Sequence, residues 1–543
     1  MTWTYCFRSL IFGLFFAVIT AAFSPYAFGQ NPCLADEDIK KMLSRLESRT
    51  QDSKIDSDLQ KELLKMKAEV ESINRKIADN PLEKDKLNDE LAKVNARLEP
   101  RLCEIFRTHG WLTKNSVGAE GVSAMMFLVK NSLSLPVQMR LFPVINTAIK
   151  KNEIEKNEDL AALIDRLFVK SGGRQLFGTQ AYIAEGFLIL SPLQSDAKVD
   201  EWRKIYNMPP LRDALRYIQN SYRMPVIKSP AVRIRETALV EKDVENAAAI
   251  PVVPSDTEED VIRVDSGLVN LNVSVFGKDA KAFAGELTES DFRIFEDGRE
   301  QKISFFARSE VATDLVLVLD ISLSTANKIG LIRKSTRNFI EKKRPADRLA
   351  IVTFASDVNV ISPLTDDGAK LLESVEKIKG RGSSHVWDAL DFTLKNVFDE
   401  RSAERRRAVV LMTDGADNAL MYYPGFGSKT LFADLVETVR GGNTIIVPIY
   451  LDTEVRSSQR LYRDARNTLA LLARESGGTF YQAKKIEDLN GVYEQVLNDL
   501  SKIYSIGYVP SDDRRDGSWR TIKVEIPARP ELVVKTKTGY YAR

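Results

Sequence analysis

Five side chains in the C-terminal half carry oxygen atoms suited to holding a metal ion: Asp320, Ser322, Ser324, Ser384 and Asp414. Carboxylate and hydroxyl oxygens are the ligands that hard divalent cations prefer. The Asp-x-Ser-x-Ser spacing puts three of these oxygens on one side of a tight loop. Two carboxylates against a divalent charge leave the ion able to accept an anionic ligand from outside. The pattern predicts a cation site, with Mg²⁺ as the expected ion and Mn²⁺ or Ca²⁺ as alternatives.

The composition argues against other chemistries. The 543 residues include 2 histidines and 3 cysteines, too few for zinc clusters, histidine-based triads or multi-cysteine redox sites. The 78 basic and 76 acidic residues give a net charge of +2, whereas a nucleic-acid-binding domain would show a basic excess. Chemistry in this chain must therefore rest on Asp, Glu, Ser and Thr oxygens, and we expect no nucleic-acid partner.

Alternating strands and helices must position the five candidate ligands. Continuous apolar runs are typical of strands buried on both faces, and they occur at 315–319, 349–354, 408–412 and 444–449. Helical patterns separate or follow them, at 367–378, 386–399, 460–476 and 486–502. The alternation predicts a doubly wound, mostly parallel α/β sheet, in which ligands bind at the carboxyl ends of the strands. Taken singly, each candidate could instead be a helix cap or a turn residue.

The order of these motifs resembles the von Willebrand factor type A domain. Asp320-x-Ser322-x-Ser324 follows an apolar strand, a hydroxyl loop holds Ser384, and Asp414 lies in Thr-Asp-Gly-x-Asp-Asn. In that family these motifs form the metal-ion-dependent adhesion site. The resemblance implies that all five side chains are metal ligands, with Ser384 standing where the family usually has Thr. It also implies a protein partner whose Asp or Glu completes the metal shell.

Strands on either side of this domain are expected to pair with each other. Period-2 alternation, typical of half-exposed strands, begins at residue 266 and returns at 522–526. We expect 263–310 and 503–543 to form one antiparallel β-sandwich flanking the type A domain at 311–502. This organisation resembles the exported, von-Willebrand-related proteins common in acidobacteria.

The N-terminus has the features of an export signal. Arg8 precedes the apolar run Leu10–Phe23, and Ala27 and Gly29 fit a small-x-small cleavage site. Residues 1–29 are therefore predicted to direct export to the periplasm, the cell surface or the medium. An uncleaved N-terminal anchor is the alternative, and it would be the only membrane attachment. After cleavage two cysteines remain, Cys33 and Cys103, which an oxidising compartment could join as a disulfide or leave unpaired.

The N-terminal half is predicted to be helical. Heptad-spaced apolar residues on both sides of the turn signal Asn80-Pro81 favour an antiparallel hairpin over 30–100; a dimeric coiled coil, which would make the protein an oligomer, is the alternative. Residues 101–222 are expected to form a helical domain. Motifs such as His109-Gly110-Trp111 and Gly172–Gln180 make residues 95–220 resemble an uncharacterised bacterial domain of unknown function. A linker is predicted at 223–262.

Three functions are compatible with this organisation. The first is an exported, metal-dependent protein-binding or adhesion module. The second is an enzyme whose active site lies in 101–222 and uses His109, Arg174 and Gln180, with the type A domain as a docking arm; no nucleophile–base pair or phosphate loop supports it. The third is a structural spacer whose ion serves stability alone.

Overall fold

A computed structural model gives the fold of the chain. The structure describes residues 33–48, 55–79, 83–229, 268–277, 283, 285–308, 311–323, 325, 329–380, 382–413, 417–420, 427–451, 459–484 and 488–542. The predicted export signal at 1–29 and the turn Asn80-Pro81 lie outside these ranges. The described residues divide into two compact units.

The first unit is helical and holds the residues up to Tyr182 together with Leu190–Asp213. Its helices are α1 (Asp36–Glu47), α2 (Ser57–Asp79), α3 (Lys84–His109), α4 (Lys114–Ser132), α5 (Leu135–Lys150), α6 (Glu158–Lys170) and α7 (Val199–Ile205). Their apolar faces meet in one core, which includes Leu63, Phe106, Leu128, Leu141 and Ile164. The predicted helical N-terminal region is therefore confirmed.

Helices α2 and α3 pack along the heptad seam seen in the sequence. Ile73, Ile77 and Leu87 are buried together near the connection between the two helices. Farther along, Arg97 pairs with Glu69, and Arg101 Nε lies 2.7 Å from Glu62 Oε1. As the contacts move forward along α3, their partners move backward along α2. The two helices therefore run antiparallel, as a hairpin within one chain.

The second unit holds Ile183–Ile189, residues 214–229 and the described residues from Leu268 onward. Its strands β8 (Thr313–Asp320), β9 (Arg348–Phe354), β10 (Val358–Thr365), β11 (Arg406–Thr413), β12 (Thr444–Leu451) and β13 (Tyr481–Ala483) form one sheet. The order is β10-β9-β8-β11-β12-β13, parallel except that β10 runs antiparallel to β9. The predicted doubly wound sheet is confirmed.

Helices cover both faces of this sheet. They are α9 (Ile329–Lys342), α10 (Gly368–Val375), α11 (Val386–Asn396), α12 (Phe432–Gly441), α13 (Gln459–Ser476) and α14 (Leu489–Leu500). Alternate residues of β8 point to opposite faces: Leu317 joins the core under α9, α10 and α14, whereas Val318 joins the core under α11, α12 and α13. This double burial explains the continuous apolar runs.

The flanking segments form two four-stranded sheets. Their strands are β4 (Val269–Phe276), β5 (Arg293–Glu296), β6 (Arg299–Gln301), β7 (Ile303–Arg308), β14 (Tyr504–Tyr508), β15 (Trp519–Glu525), β16 (Val533–Lys535) and β17 (Gly539–Tyr541). The orders are β16-β4-β14-β7 and β17-β15-β5-β6, so each sheet mixes strands from both flanks. Leu271, Ile294 and Ile522 lie in one buried cluster drawn from both sheets.

The segment predicted as the start of a linker is folded. Val226–Lys228 forms β3, which joins β1 (Ala181–Ala184) and β2 (Phe187–Leu190) in a small sheet. Val226 is fully buried, and α8 (Leu211–Tyr222) precedes the strand. The linker prediction at 223–262 therefore starts too early, and residues 230–267 lie outside the described part of the chain. Among the helices that the structure describes, none has both the length and the apolar composition needed to cross a bilayer.

Candidate metal-binding site

Asp320 is the centre of a polar cluster at the carboxyl end of β8. The parallel register that pairs Met412 with Leu319 brings the next residues, Thr413 and Asp320, to the same edge. Asp320 is fully buried. Its Oδ2 accepts hydrogen bonds from the hydroxyl of Thr413 at 2.7 Å and from that of Ser384 at 3.1 Å. Three separate segments of the sequence therefore meet at one carboxylate.

The loop after β8 wraps around the same carboxylate. The backbone N–H of Ser322 donates to Asp320 Oδ1 at 2.9 Å. The hydroxyl of Thr325 donates to the backbone oxygen of Asp320 at 2.9 Å and to that of Ser322 at 3.0 Å. These bonds close the loop into a tight turn. Leu323, at its tip, is 71% exposed.

The electrostatics of Asp320 favour a group that brings positive charge. Burial raises the pKa of Asp320, and the hydrogen bonds from Ser322, Thr413 and Ser384 act in the opposite direction. Hydroxyl donors compensate a buried carboxylate only in part, because none of them carries a full charge. A hard cation beside Asp320 would offset this cost and would find hydroxyl oxygens already gathered around it.

The loop that carries Ser384 is held by backbone contacts with its neighbours. The N–H of Leu323 donates to the backbone oxygen of Gly382 at 3.1 Å, and the N–H of Ser384 donates to Asn418 Oδ1 at 3.2 Å. Gly382 has a φ of +119°, and a Cβ there would come within 2.7 Å of the Ser356 hydroxyl oxygen. Glycine is therefore required where this loop turns.

Asp417 organises the chain after β11. Its carboxylate accepts hydrogen bonds from the backbone of Trp387 at 3.1 Å and of Ala419 at 2.8 Å, and from both the backbone and the hydroxyl of Ser428 at 3.0 and 2.6 Å. Asp388 continues the clamp by accepting from the backbone N–H groups of residues 429 and 430. The side chains of Asp417 and Asp388 thus fix loops.

Three of the five predicted ligands are among the described residues, and these three lie together. Asp320, Ser322 and Ser384 lie at one point, whereas Ser324 and Asp414 lie outside the described residues. Within the part of the chain that is described, no group of three or more His, Cys, Asp and Glu side chains could hold a metal ion. The donor set here is instead one carboxylate among hydroxyls, which fits the chemistry of a hard cation.

Sequence reasoning missed one member of the cluster, Thr413. Its position was visible in the pattern, since Thr413 directly precedes Asp414 at the end of an apolar strand. What was not visible was the neighbouring position of β8 and β11 in the sheet, which places Thr413 opposite Asp320. His385, at the start of α11, has Nδ1 3.8 Å from Asp388 Oδ2 and lies beside the cluster.

The residues of the enzyme hypothesis, His109, Arg174 and Gln180, lie in the helical unit. His109 is exposed at the end of α3. The side-chain amide of Gln180 donates to the backbone oxygen of Ala162 at 3.3 Å and to the hydroxyl of Thr179 at 3.1 Å. Arg174 is half-buried. The enzyme hypothesis stays a prediction, and it would be tested by comparing the turnover of wild type and His109→Ala in a kinetic screen.

The two cysteines lie together in the helical unit. Cys33 and Cys103 form a disulfide, with their Cα atoms 5.9 Å apart. Cys103 is fully buried in α3, and Cys33 packs against the same core. The bond ties the start of the described chain to the third helix.

Comparison with known proteins gives two family matches. Residues 315–416 match the von Willebrand factor type A domain, and residues 57–227 match the Family of unknown function (DUF6624). A curated relative, an uncharacterized protein of Borreliella burgdorferi, is 28% identical over 117 residues, 20% of this chain. The chain spans 33% of the length of that relative.

The solved structures to which the chain is similar include three bacterial proteins. An aerotolerance-related membrane protein from Bacteroides fragilis is 15% identical, with 35% of this chain and 98% of that chain covered and a TM-score of 0.27. The vWF domain of the type V pili tip protein Mfa5 from Porphyromonas gingivalis is 14% identical, with 35% and 94% covered and a TM-score of 0.28. A von Willebrand factor type A protein from Catenulispora acidiphila is 11% identical, with 52% and 65% covered and a TM-score of 0.31.

The family assignment rests on the two sequence matches and agrees with the sheet order and the loops described above. The more specific resemblance to an acidobacterial subgroup stays a prediction. The chain therefore contains a von Willebrand factor type A domain, preceded by a helical region of the Family of unknown function (DUF6624).

Proposed function

We propose that this protein is an exported, metal-dependent protein-binding module. Its type A domain would hold one divalent cation, Mg²⁺ or alternatively Mn²⁺ or Ca²⁺, through Asp320, Ser322, Ser324, Ser384 and Asp414. An Asp or Glu side chain of a protein partner would complete the shell of the ion. The bound cation would supply a positive charge that the partner's carboxylate can ligate.

The observation that supports this proposal is the convergence of three loops on the Asp320 carboxylate. The hydroxyls of Ser384 and Thr413 both point at its Oδ2, and the backbone of Ser322 holds its Oδ1. A buried carboxylate needs charge compensation, and these neighbours provide hydroxyl oxygens but no cation. The type A family match over 315–416 adds independent support.

Export is part of the proposal and rests on the sequence of residues 1–29. A short apolar run after Arg8 and a small-x-small site at Ala27 and Gly29 are typical of a secretory signal. The partner would then be a protein of the periplasm, the cell surface or the medium. An uncleaved signal would hold the same module at the membrane.

The experiment is an affinity capture from an envelope extract with the full chain as bait, once with Mg²⁺ and once with chelator. We expect a partner that is retained with Mg²⁺ and released by chelator. Asp320→Asn should lose both the partner and Mg²⁺ binding measured by calorimetry. Asp366→Asn is the matched control, since Asp366 is exposed and takes no part in the hydrogen bonds described for the cluster. Equal capture by wild type and Asp320→Asn would refute the proposal.

The spacer hypothesis makes a different prediction for the same proteins. If the ion serves stability alone, Mg²⁺ should raise the melting temperature of wild type but not of Asp320→Asn, because a ligand that binds only the folded state stabilises it. No partner would then depend on Mg²⁺ in the capture experiment. A melting shift without a metal-dependent partner would therefore favour a spacer over a binding module.

A further inference from the structure

The helical unit contains a large cavity that the proposed metal site does not explain. It has a volume of about 820 Å³ and is bordered by α2, α4, the 152–157 segment, the start of α6 and the end of α7. Cavities of roughly 300–1,000 Å³ are typical of small-molecule sites. The size alone thus makes it a candidate binding site.

The wall of this cavity is apolar on one side. Val122 and Leu163 are buried there, and Met126 and Phe127 are half-buried beside them. Ile205, at the end of α7, is 37% exposed and completes this side. An apolar part of a ligand would remove this surface from water, which favours binding.

Most charged groups at the cavity already have partners. Lys130 forms an ion pair with Asp159, and Lys67 Nζ lies 3.6 Å from Glu71 Oε1. Lys114 Nζ donates to the backbone oxygen of Asn152 at 2.7 Å. Arg75 Nη2 lies 4.0 Å from Glu71 Oε2, so four of the five described cations that line the cavity are engaged by the protein itself, and Lys156 is the fifth.

Glu158 differs from these groups. It lines the cavity at the first turn of α6 and is half-buried. Its carboxylate lies within electrostatic range of Arg203 and Lys130 but makes no hydrogen bond or ion pair with any residue that the structure describes. Burial raises the pKa of Glu158, and this effect outweighs the attraction of Arg203 and Lys130. Glu158 is thus a half-buried carboxylate at the cavity whose charge its neighbours compensate only in part.

The wider surroundings of Glu158 are acidic. Arg203 is buried and donates to the backbone oxygens of Phe177 and Pro209, so its guanidinium is already engaged. The carboxylates of Asp200 and Asp165 also attract the positive charge of Arg203. Around the 152–159 segment the cavity is lined by the carboxylates of Glu153, Glu155, Glu158 and Asp159 and by the ammonium groups of Lys114, Lys130 and Lys156. Carboxylates outnumber cations at this end, so a ligand with a positive charge is favoured over an anion.

We propose that this cavity binds a small amphipathic cation, an amine or a guanidinium on an apolar body, with Glu158 as the counter-ion of its charged group. The apolar body would contact Met126, Phe127 and Ile205. The Phe127 ring is compatible with a cation, since the Lys67 ammonium lies 5.6 Å from its centroid. This site is separate from the type A domain and does not depend on a metal ion.

The test is calorimetric titration of the full chain with hexylamine, using hexanoate and hexan-1-ol as probes of equal length. Hexylamine should bind saturably and about tenfold or more tighter than either other probe, because it alone pairs with a desolvated carboxylate. Glu158→Gln should weaken the binding of hexylamine by about tenfold or more and leave the affinity for hexan-1-ol unchanged. Glu201→Gln, an exposed change on α7, should titrate like wild type.

A second variant keeps the proposal testable if Glu158→Gln does not fold. Met126→Trp would fill the apolar side of the cavity, and it should abolish hexylamine binding while helicity measured by circular dichroism is retained. Absent hexylamine binding in wild type, tighter binding of hexanoate, or undiminished binding in Glu158→Gln or Met126→Trp would each overturn the proposal.

Discussion

The hydroxyl of Thr413 lies 2.7 Å from Oδ2 of Asp320, so the ends of two neighbouring parallel strands are joined through a buried carboxylate. Because the partner of the hydroxyl is a carboxylate, this bond should be stronger than one between neutral groups. The Thr413 side chain therefore both stabilises the sheet edge and orients the central residue of the proposed metal site.

Thr413→Val should lower the free energy of unfolding by about 1–3 kcal/mol, since it leaves the buried carboxylate with one donor fewer. Thr393→Val is the matched control: Thr393 is equally buried, and its hydroxyl donates only to the backbone oxygen of Ala389 within α11. Both should be compared by urea unfolding in chelator and by Mg²⁺ titration. Only Thr413→Val should weaken Mg²⁺ binding. Equal Mg²⁺ affinities in the two variants would contradict the role of Thr413 in orienting Asp320.

Asp417→Ala should destabilise the type A domain more than an ordinary core substitution. The change removes the acceptor of four hydrogen bonds, from Trp387, Ala419 and Ser428, and leaves their backbone donors buried. We expect a loss of about 3 kcal/mol or more in urea unfolding. Ser428→Ala removes one donor to Asp417 and the acceptor of the Asp388 backbone N–H, and it should cost about 2 kcal/mol. A larger loss in Ser428→Ala than in Asp417→Ala would show that the carboxylate is not the organising group.

The disulfide between Cys33 and Cys103 should stabilise the helical unit under oxidising conditions. It spans a sequence separation of 70, and closing a loop of that length contributes about 4 kcal/mol in the chain-entropy model. Reductant should therefore lower the urea midpoint of wild type. Cys33→Ser should unfold at the reduced midpoint with or without reductant, and a reductant-independent wild type would show that the bond does not form.

The main sheet was predictable because its strands are buried on both faces. Four continuous apolar runs marked β8, β9, β11 and β12, and their carboxyl ends marked the loops that carry the candidate ligands. The edge strand β10 was missed: it alternates irregularly between exposed and buried positions and contains Pro363, so its pattern is that of a loop. Helix α12 was missed although Phe432, Leu435, Val436 and Val439 follow a helical period.

Long-range pairing was the part that local patterns did not reveal. Phe187 stacks on Phe432 with ring centroids 6.0 Å apart, and Gln219 accepts a hydrogen bond from the backbone of Phe432 at 3.1 Å. Both partners precede Phe432 by more than 200 residues in sequence, in a region that was interpreted as part of the helical domain. Nothing in the local period of these segments indicates which unit they join.

Asp165 explains the unusual Gly-Gly-Arg-Gln-Leu-Phe-Gly-Thr-Gln stretch of the helical unit. Its buried carboxylate accepts hydrogen bonds from the backbone N–H groups of Leu176, Phe177 and Thr179 at 2.7, 3.0 and 2.9 Å, and from the Thr179 hydroxyl at 2.8 Å. Burial nevertheless raises its pKa to about 6 from the ordinary 3.8. The desolvation cost of the charged carboxylate therefore exceeds the stabilisation that these hydrogen bonds provide.

The raised pKa predicts a pH dependence of stability with a definite sign. Because the folded state binds the Asp165 proton more tightly than the unfolded state, this contribution is complete below pH about 4 and is lost as the pH rises through about 6. A difference of roughly two pKa units corresponds to about 3 kcal/mol. Asp165→Asn carries no titrating group there, so its unfolding free energy should lack this decline. Urea unfolding of both proteins between pH 4 and 7.5 measures how the unfolding free energy of each changes with pH. Comparing these changes removes any constant difference in stability that the altered hydrogen bonds cause. Asp213→Asn, at an exposed position, should follow the wild-type profile; parallel profiles for wild type and Asp165→Asn would mean that Asp165 titrates normally in the folded protein.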